Sequence, residues 1–263
     1  MWLPITLLTC LLAQEVIISR PLWFGPQAGS PRLPGEGPGL DFALRPGRRG
    51  GAPTVALLGA VRASGREADI YGGRIAGAVQ IVAIDWQSGQ VYHAAAERPG
   101  AVPLSMVMKD PEPPAPGEAS IEAIETHFNL DLRGHLGLPA QPANYAVFLW
   151  LDQMTSPVRV AQLPGPDKRV QPLPKKAGTR VAVSGAAPGK PSNRVRIQAP
   201  GAPAGVIVLT LGYRSRELKW RRVTLPGAAG AEVDLSDLLG AGKSFVAAAA
   251  ETAISNVLVV ERK

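Results

Sequence analysis

The stretch AVQIVAIDWQSGQVYHAAAERPG, residues 78–100, decides the predicted fold because it recurs later in the chain. Residues 205–227, GVIVLTLGYRSRELKWRRVTLPG, align with it without a gap. In both stretches an apolar run leads through a polar turn into a second run, which is the pattern of a β-hairpin. The run from Val79 to Trp86 is apolar on both faces of the predicted strand along much of its length. This pattern is typical of a central strand that is covered on both sides.

Three further pairs of segments recur in the same order, namely 54–60 with 180–186, 130–137 with 233–240, and 144–160 with 244–260. Self-similarity of this kind indicates a repeated structural unit. The chain has 29 Gly and 26 Pro among 263 residues, and these separate short apolar runs, six or seven to a copy. The sequence therefore predicts an all-β protein with two tandem immunoglobulin-like β-sandwich modules arising from an internal repeat.

The repeat divides the chain into segments. Residues 52–163 are expected to form the first sandwich, and residues 179–263 the second. Residues 164–178 form a Pro-rich, basic linker between them. Residues 14–51 are a Pro/Gly-rich N-terminal extension, whose composition does not favour a core of its own.

The extension contains one apolar burst, EVIISRPLWFG. We expect Val16 to Ile18, with Trp23 and Phe24, to add a strand to the first sandwich. The alternative is that the two aromatic side chains are exposed and contact a partner. The first interpretation is favoured because buried aromatic side chains outnumber functional exposed ones.

The N-terminus predicts export from the cytoplasm. Residues 1–13, MWLPITLLTCLLA, are apolar and uncharged like a signal peptide, although a basic start is missing. This segment is too short to span a membrane, so a secreted or periplasmic location without a membrane span is expected. The only cysteine, Cys10, lies inside it, so the mature chain would have no thiol or disulfide. Lipidation at Cys10 is the less favoured alternative.

The stretch DLLGAGKSF, residues 237–245, resembles the end of a phosphate-binding loop. Gly242, Lys243 and Ser244 fit that motif, but Asp237 stands where its first glycine belongs. The repeat aligns residues 244–250 with an aromatic, β-branched segment, which favours a strand rather than the helix that the motif requires. We therefore expect no nucleotide binding, with Lys243 as a solvated charge in a turn.

A single helical turn is predicted before that strand in each copy. Asp131 or Asp234 would cap its beginning, and Gly137 or Gly240 would end it.

Few residues have the pattern of a catalytic or metal site. His127, Asn129 and Asp131 alternate along one strand face, as metal ligands sometimes do, but the second copy repeats only the aspartate, as Asp234, and so has no such ligand set. A solvated strand face is the favoured interpretation, and the same holds for the carboxylates Glu122 and Glu125. No Gly-x-Ser-x-Gly nucleophile motif is present. The sequence thus predicts a protein that is not an enzyme and that needs no metal or cofactor.

Charge is concentrated in one hairpin. The net charge is +7, and the segment YRSRELKWRR, residues 213–222 and here called the basic hairpin, carries five cations against one acid. Its candidate ligand-binding residues are Tyr213, Arg214, Arg216, Lys219, Trp220, Arg221 and Arg222. A charged edge that blocks strand pairing is one explanation of this patch.

Two functions follow from these patterns as expectations. The first is a non-enzymatic, extracytoplasmic binding module that acts in protein–protein interaction or in an envelope structural role. The alternative is binding of an anionic polymer or glycan through the basic hairpin, where cations would meet the anionic groups and aromatic rings would stack on sugars.

Overall fold

The computed structural model describes residues 15–20, 22–64, 75–97, 123–165, 180–185, 193–200, 205–225, 230–250 and 253–262. The strands are β1 (Val16–Ile17), β2 (Leu22–Phe24), β3 (Gly39–Arg49), β4 (Ala52–Ala63), β5 (Gln80–Asp85), β6 (Val91–Ala95), β7 (Ile124–Asp131), β8 (Ala143–Leu151), β9 (Met154–Thr155), β10 (Arg159–Leu163), β11 (Ala182–Gly185), β12 (Arg194–Gln198), β13 (Val206–Gly212), β14 (Leu218–Val223), β15 (Ala231–Asp234), β16 (Gly242–Ala250), β17 (Ala253–Ile254) and β18 (Leu258–Arg262). The helices are α1 (Ile75–Ala78) and α2 (Leu132–Leu136). The predicted all-β class is confirmed.

Two sheets form the first sheet pair. Sheet A has the strand order β1-β3-β4-β7-β2, and sheet B has the order β10-β8-β5-β6 with β9 also on β8. Phe42 and Leu57 of sheet A pack against Ile81 and Val147 of sheet B, and all four are fully buried. The alternation of apolar residues along each strand supplies this core.

Two further sheets form the second sheet pair. Sheet C has the order β11-β12-β15, and sheet D has the order β14-β13-β16-β17 with β18 also on β16. Val195 and Val233 of sheet C pack against Val208 and Ala248 of sheet D. Several residues of β16 are alanines, so the side chains of this core are smaller than those of the first core. The residues of the two cores are equally buried.

A third apolar cluster lies between sheets B and D, and we call it the apolar layer. Sheet B contributes Val82, Phe148 and Trp150, and sheet D contributes Leu209 and Ala247. All five are fully buried. The layers of the protein therefore follow the order A, B, D, C, and the central strands are apolar on both faces because each face meets a different core.

The pairing registers of the two sheet pairs follow one pattern. Gln80 lies opposite Ala95 in β6 and Trp150 in β8. Ile207 lies opposite Arg222 in β14 and Ala249 in β16. The alignment of residues 78–100 with 205–227 equates Gln80 with Ile207 and Ala95 with Arg222.

One segment pairing from the sequence comparison does not match the strand positions. Residues 54–60 lie in β4, between β3 and β7, whereas residues 180–185 include β11, which is an edge strand. The strand between β11 and β15 is β12. Short runs of Val, Ala and Gly are common to many sandwich strands, so the resemblance of these two segments does not mark corresponding strands.

The N-terminal extension joins sheet A at both edges. Strand β1 runs parallel to β3, and β2 runs antiparallel to β7, so the prediction that this segment adds a strand is confirmed. Strand β3 pairs with β4 along its whole length and gives Leu40 and Phe42 to the first core. The first sheet pair therefore begins well before residue 52, where the sequence had placed its start.

The predicted helical turn has a different N-terminal contact in the first copy. Asp131 precedes α2, but its side chain makes no capping bond. Its carboxylate instead accepts hydrogen bonds from Thr54 Oγ1 at 2.5 Å and from Arg49 Nη1 at 3.0 Å. In the second copy Asp234 Oδ1 accepts the Ser236 backbone N–H at 2.9 Å, as a capping residue does.

Several expectations concern residues outside the described ranges, namely the segment 1–13 with Cys10, and most of the linker 164–178. Among the helices of the described ranges, none is long and apolar enough to cross a bilayer.

Replacing Leu209 by alanine tests the apolar layer. Leu209 is fully buried between sheets B and D, so we expect Leu209→Ala to lower the free energy of unfolding by about 2–5 kcal/mol. Urea denaturation of the full chain measures this, with Val259→Ala, at an exposed site, as the control. A change for Leu209→Ala no larger than that of the control would contradict the layer.

Candidate functional site

A cleft of ≈ 750 Å³ opens at one end of the second sheet pair. Its walls are the turn between β13 and β14, the segment between β15 and β16, and Glu261 of β18. The lining residues are Gly212, Tyr213, Arg214, Ser215, Glu217, Lys219, Leu238, Gly240, Ala241, Gly242, Lys243, Ser244 and Glu261. The glycine-rich stretch 240–244 thus lines a cleft, although a strand and not a helix follows it.

The turn between β13 and β14 is held by backbone hydrogen bonds. The Gly212 N–H donates to the Glu217 carbonyl at 3.0 Å, and the Arg216 N–H donates to the Gly212 carbonyl at 3.0 Å. Arg216 has a φ of 54°, which is unfavourable for a residue with a side chain. In the matching turn of the first sheet pair that position is Gly89, with a φ of 68°.

The ammonium group of Lys243, a residue that lines the cleft, lies against two aromatic rings. Its Nζ is 4.9 Å from the Tyr213 ring centroid and 5.5 Å from that of Phe245. These are cation–π distances. Lys243 is the second residue of β16, so the expectation of a solvated charge in a turn is wrong, whereas the expected strand over residues 244–250 is confirmed. The pattern did not show that Tyr213, a distant residue in sequence, would reach this lysine.

The remaining charges of the cleft are mixed. Lys219 Nζ is 3.6 Å from Glu217 Oε2, in a pair that is largely open to solvent. Lys243 lies opposite Glu261 in the register of β16 and β18. Arg214 is exposed at the rim. The cleft therefore holds three cations and two carboxylates.

The structure brings only part of the basic hairpin to the cleft, namely Tyr213, Arg214 and Lys219. Arg216 Nη1 donates to Asp152 Oδ1 of the first sheet pair at 2.7 Å, and both side chains are partly buried. Arg221 Nη1 donates to Asp237 at 3.0 Å. These two arginines are therefore held by carboxylates of the protein itself.

The aromatic residues of the hairpin are engaged within the protein. Trp220 packs against the apolar layer. The Tyr213 ring meets Phe245 edge to face at 5.8 Å, and Lys243 lies over it. Arg222 is exposed and lies against Gly89 of the first sheet pair.

The corresponding end of the first sheet pair is filled by aromatic side chains. Tyr145 lies opposite Asp85 in the β5–β8 register, as Ser244 lies opposite Gly212 in the β13–β16 register. Tyr145 is fully buried, and its ring meets Tyr92 edge to face at 6.0 Å. Burial, followed by the negative charge of Asp85, raises the pKa of the Tyr145 hydroxyl to about 12.

The strand face that carries His127, Asn129 and Asp131 is not solvated as expected. Asn129 and Asp131 are buried because the N-terminal extension covers the outer face of sheet A. Asn129 Nδ2 donates a hydrogen bond to the Gly25 carbonyl at 2.8 Å, and this bond fixes the chain directly after β2. His127 Nε2 is 3.2 Å from Glu125.

The acidic and metal-ligand candidates have these positions. Glu125 forms an ion pair with Arg62, while Glu122 lies outside the described residues. Within the described ranges, His, Cys, Asp and Glu side chains form no group of three or more that could hold a metal ion.

No protein-family model matches the chain, and no curated protein sequence matches it.

Two substitutions at Arg216 separate backbone strain from the ion pair. Arg216→Ala removes the contact to Asp152 and keeps a side chain at positive φ, whereas Arg216→Gly removes the contact and relieves the strain. We expect the alanine variant to be less stable than the glycine variant by about 1–2 kcal/mol. Denaturation of both variants measures the difference, and equal stabilities would contradict the strained turn.

Proposed function

We propose that this is a non-enzymatic, secreted or periplasmic protein whose two immunoglobulin-like sandwich modules act as one unit in protein–protein interaction or in an envelope structural role. The observation that carries this proposal is the apolar layer between sheets B and D. Because buried apolar surface on both sides holds the modules together, they present their outer surfaces to a partner in a fixed relation.

The strand order supports the immunoglobulin-like assignment. In the second sheet pair, β11-β12-β15 faces β14-β13-β16-β18. In the first, β3-β4-β7 faces β6-β5-β8-β10. Apart from the N-terminal strands β1 and β2 and the two-residue strands β9 and β17, the first, second and fifth strands of each module form one sheet, and the third, fourth, sixth and seventh form the other. The fourth strand thus lies beside the third, as strand C′ lies in the sheet of C, F and G in variable-type sandwiches.

A buried serine supports the internal repeat. Ser156 Oγ accepts the Leu149 N–H at 2.9 Å, and Ser255 Oγ accepts the Ala248 N–H at 2.9 Å. Each serine directly follows a two-residue strand, and its hydroxyl bonds to the longer strand with which that short strand is paired. The two modules thus share a side-chain contact and the pairing register of the strands around it, which favours a common origin of the modules.

Exposed apolar side chains on sheet A favour a protein partner. Phe24 is 50% exposed and lies directly opposite Phe128 in the pairing of β2 with β7. Opposed residues share a face of the sheet, and Ile124, 41% exposed, lies on that same face because it is an even number of residues from Phe128. Aromatic anchors of this kind are enriched in interfaces.

Affinity capture tests the proposal. Residues 14–263 are used as bait in an envelope extract, and we expect a discrete protein to be retained at high salt because the contact is apolar. Phe24→Ser should reduce retention at least tenfold, whereas Val259→Ser, at an exposed apolar site of the second sheet pair, should not. Equal retention by both variants would reject this surface, and hydrolase activity of the purified chain would reject the proposed class.

A second candidate function is binding of an anionic polymer through the basic hairpin. Arg214 and Arg222 are exposed, and Lys219 is partly exposed. Because the Tyr213 and Trp220 rings are engaged within the protein, this binding would depend on charge rather than on stacking.

A triple substitution in the basic hairpin tests this second candidate and leaves the ion pairs of Arg216 and Arg221 in place. Replacing Arg214, Lys219 and Arg222 by Ser should abolish retention on immobilised polyphosphate and lipopolysaccharide. The same change at Arg32, Arg180 and Arg196, which are also exposed, is the control for net charge. Equal losses in both triple variants would show that the hairpin is not the binding surface.

A further inference from the structure

We propose that the outer edge of β14 (Leu218–Val223) binds an extended acidic segment of a partner protein, which joins sheet D as a further strand. This inference rests on the proposed role in protein–protein interaction and names a second surface for it. Strand β14 and Phe24 belong to different sheet pairs, so failure of this site would leave the partner surface on sheet A in place.

The backbone groups of β14 point alternately into sheet D and away from it. The Gly212 N–H donates to the Glu217 carbonyl, so these two residues are a hydrogen-bonded pair of the β13–β14 ladder. Such pairs alternate along antiparallel strands, and in this register Leu218, Trp220 and Arg222 direct their N–H and C=O groups outward. In the described part of the chain, β14 is the last strand on this side of sheet D.

The corresponding edge of the first sheet pair, that of β6, is closed by two side chains. Val91 and Ala95 are the residues that direct their backbone groups outward near the two ends of β6. Gln90 Nε2 donates to the Val91 carbonyl at 3.2 Å, and His135 Nε2 donates to the Ala95 carbonyl at 2.8 Å. These outward carbonyls are thus satisfied within the module.

The second sheet pair has neither of these donors. The repeat aligns Gln90 with Glu217, and His135 with Leu238. An ionised carboxylate only accepts hydrogen bonds, and a leucine side chain makes none. Among the described residues, no side chain donates to the outward carbonyls of β14. The edge of β14 therefore offers backbone groups that an added strand can pair with, as in strand addition to other open sheet edges.

The charge of β14 opposes pairing with a second copy of itself. In an antiparallel pair of two β14 strands centred on Trp220, Lys219 of each copy would lie opposite Arg221 of the other. Like charges directly opposite each other destabilise a sheet. Cationic side chains on an edge strand prevent self-association in this way.

The same charge favours an acidic strand. Arg221 is held by Asp237, whereas the pair of Lys219 with Glu217 is largely open to solvent. Arg222 is exposed, although its guanidinium rests on Gly89. Lys219 and Arg222 are three positions apart and so lie on opposite faces of the strand. An added strand with acidic residues three positions apart would place one carboxylate opposite each of these cations.

A synthetic peptide of this pattern tests the proposal. The probe is acetyl-Thr-Glu-Val-Val-Glu-Thr-amide, titrated into the full chain while backbone amide chemical shifts are recorded. We expect saturable shifts that are largest in residues 218–223. The same peptide with lysine in place of both glutamates should not saturate, because its charges would lie opposite cations.

A methylated peptide separates strand addition from simple charge attraction. In the antiparallel register that pairs both glutamates with the two cations, the amides of the second and fourth peptide residues face β14. Methyl groups on these two nitrogens remove the donors and keep both carboxylates. We expect binding to weaken about tenfold, because two backbone hydrogen bonds are lost. Equal binding of the two peptides would overturn the proposal.

Two substitutions of Arg222 test the same point from the side of the protein. Arg222→Ala and Arg222→Pro both remove the guanidinium, but only proline also removes the outward N–H, which no bond to β13 uses. We expect the proline variant to bind the peptide about tenfold more weakly than the alanine variant. Phe24→Ser, which tests the surface on sheet A, should bind the peptide like the native chain.

If Arg222→Pro fails to fold, the methylated peptide decides. Absence of saturable shifts with the unmethylated peptide, or equal binding of this peptide by folded Arg222→Ala and Arg222→Pro, would overturn the proposal.

Discussion

The apolar layer between sheets B and D is the contact on which the rest of the structure depends. Each of these sheets has one face in the core of its own sheet pair and the other in this layer, so neither has a solvated face at its centre. Val82 and Leu209, which occupy aligned positions, both lie in the layer. The contact therefore uses the same patch from each half, as a symmetric dimer does. A linker alone would leave the halves free to turn, whereas burial of these side chains opposes that motion.

This arrangement leaves the outer sheets and the ends of the sandwiches for function, and the two halves use them differently. In the first, strands of the N-terminal extension cover the outer face of sheet A, and aromatic rings fill the end near Tyr145. In the second, sheet C has only three strands in the described part of the chain, and the corresponding end opens into the cleft. The first half thus carries added structure, and the second carries the charged opening.

The sequence predicted the β class, the strand character of residues 244–250 and the added N-terminal strand, because these depend on local pattern. The sequence also predicts that the run from Val79 to Trp86 is buried on both faces. The pattern alone does not show that the second face packs against another module. The burial of Asn129 depends on the covering strand β2, which is over 100 residues away in sequence. The cleft likewise depends on the small side chain of Ser244, which stands where the first sheet pair has the ring of Tyr145. Only the pairing registers show this correspondence, because Ser244 lies opposite Gly212 as Tyr145 lies opposite Asp85.

The most direct measurement is the hydrogen exchange of the backbone amides of Val82 and Leu209 in the native full chain. These residues lie in the central strands of different sheet pairs and meet in the apolar layer. If the layer joins the halves into one cooperative unit, both amides exchange only through global unfolding and report the same free energy. Opening free energies that differ by more than about 2 kcal/mol would show that the halves unfold separately, and would contradict this account.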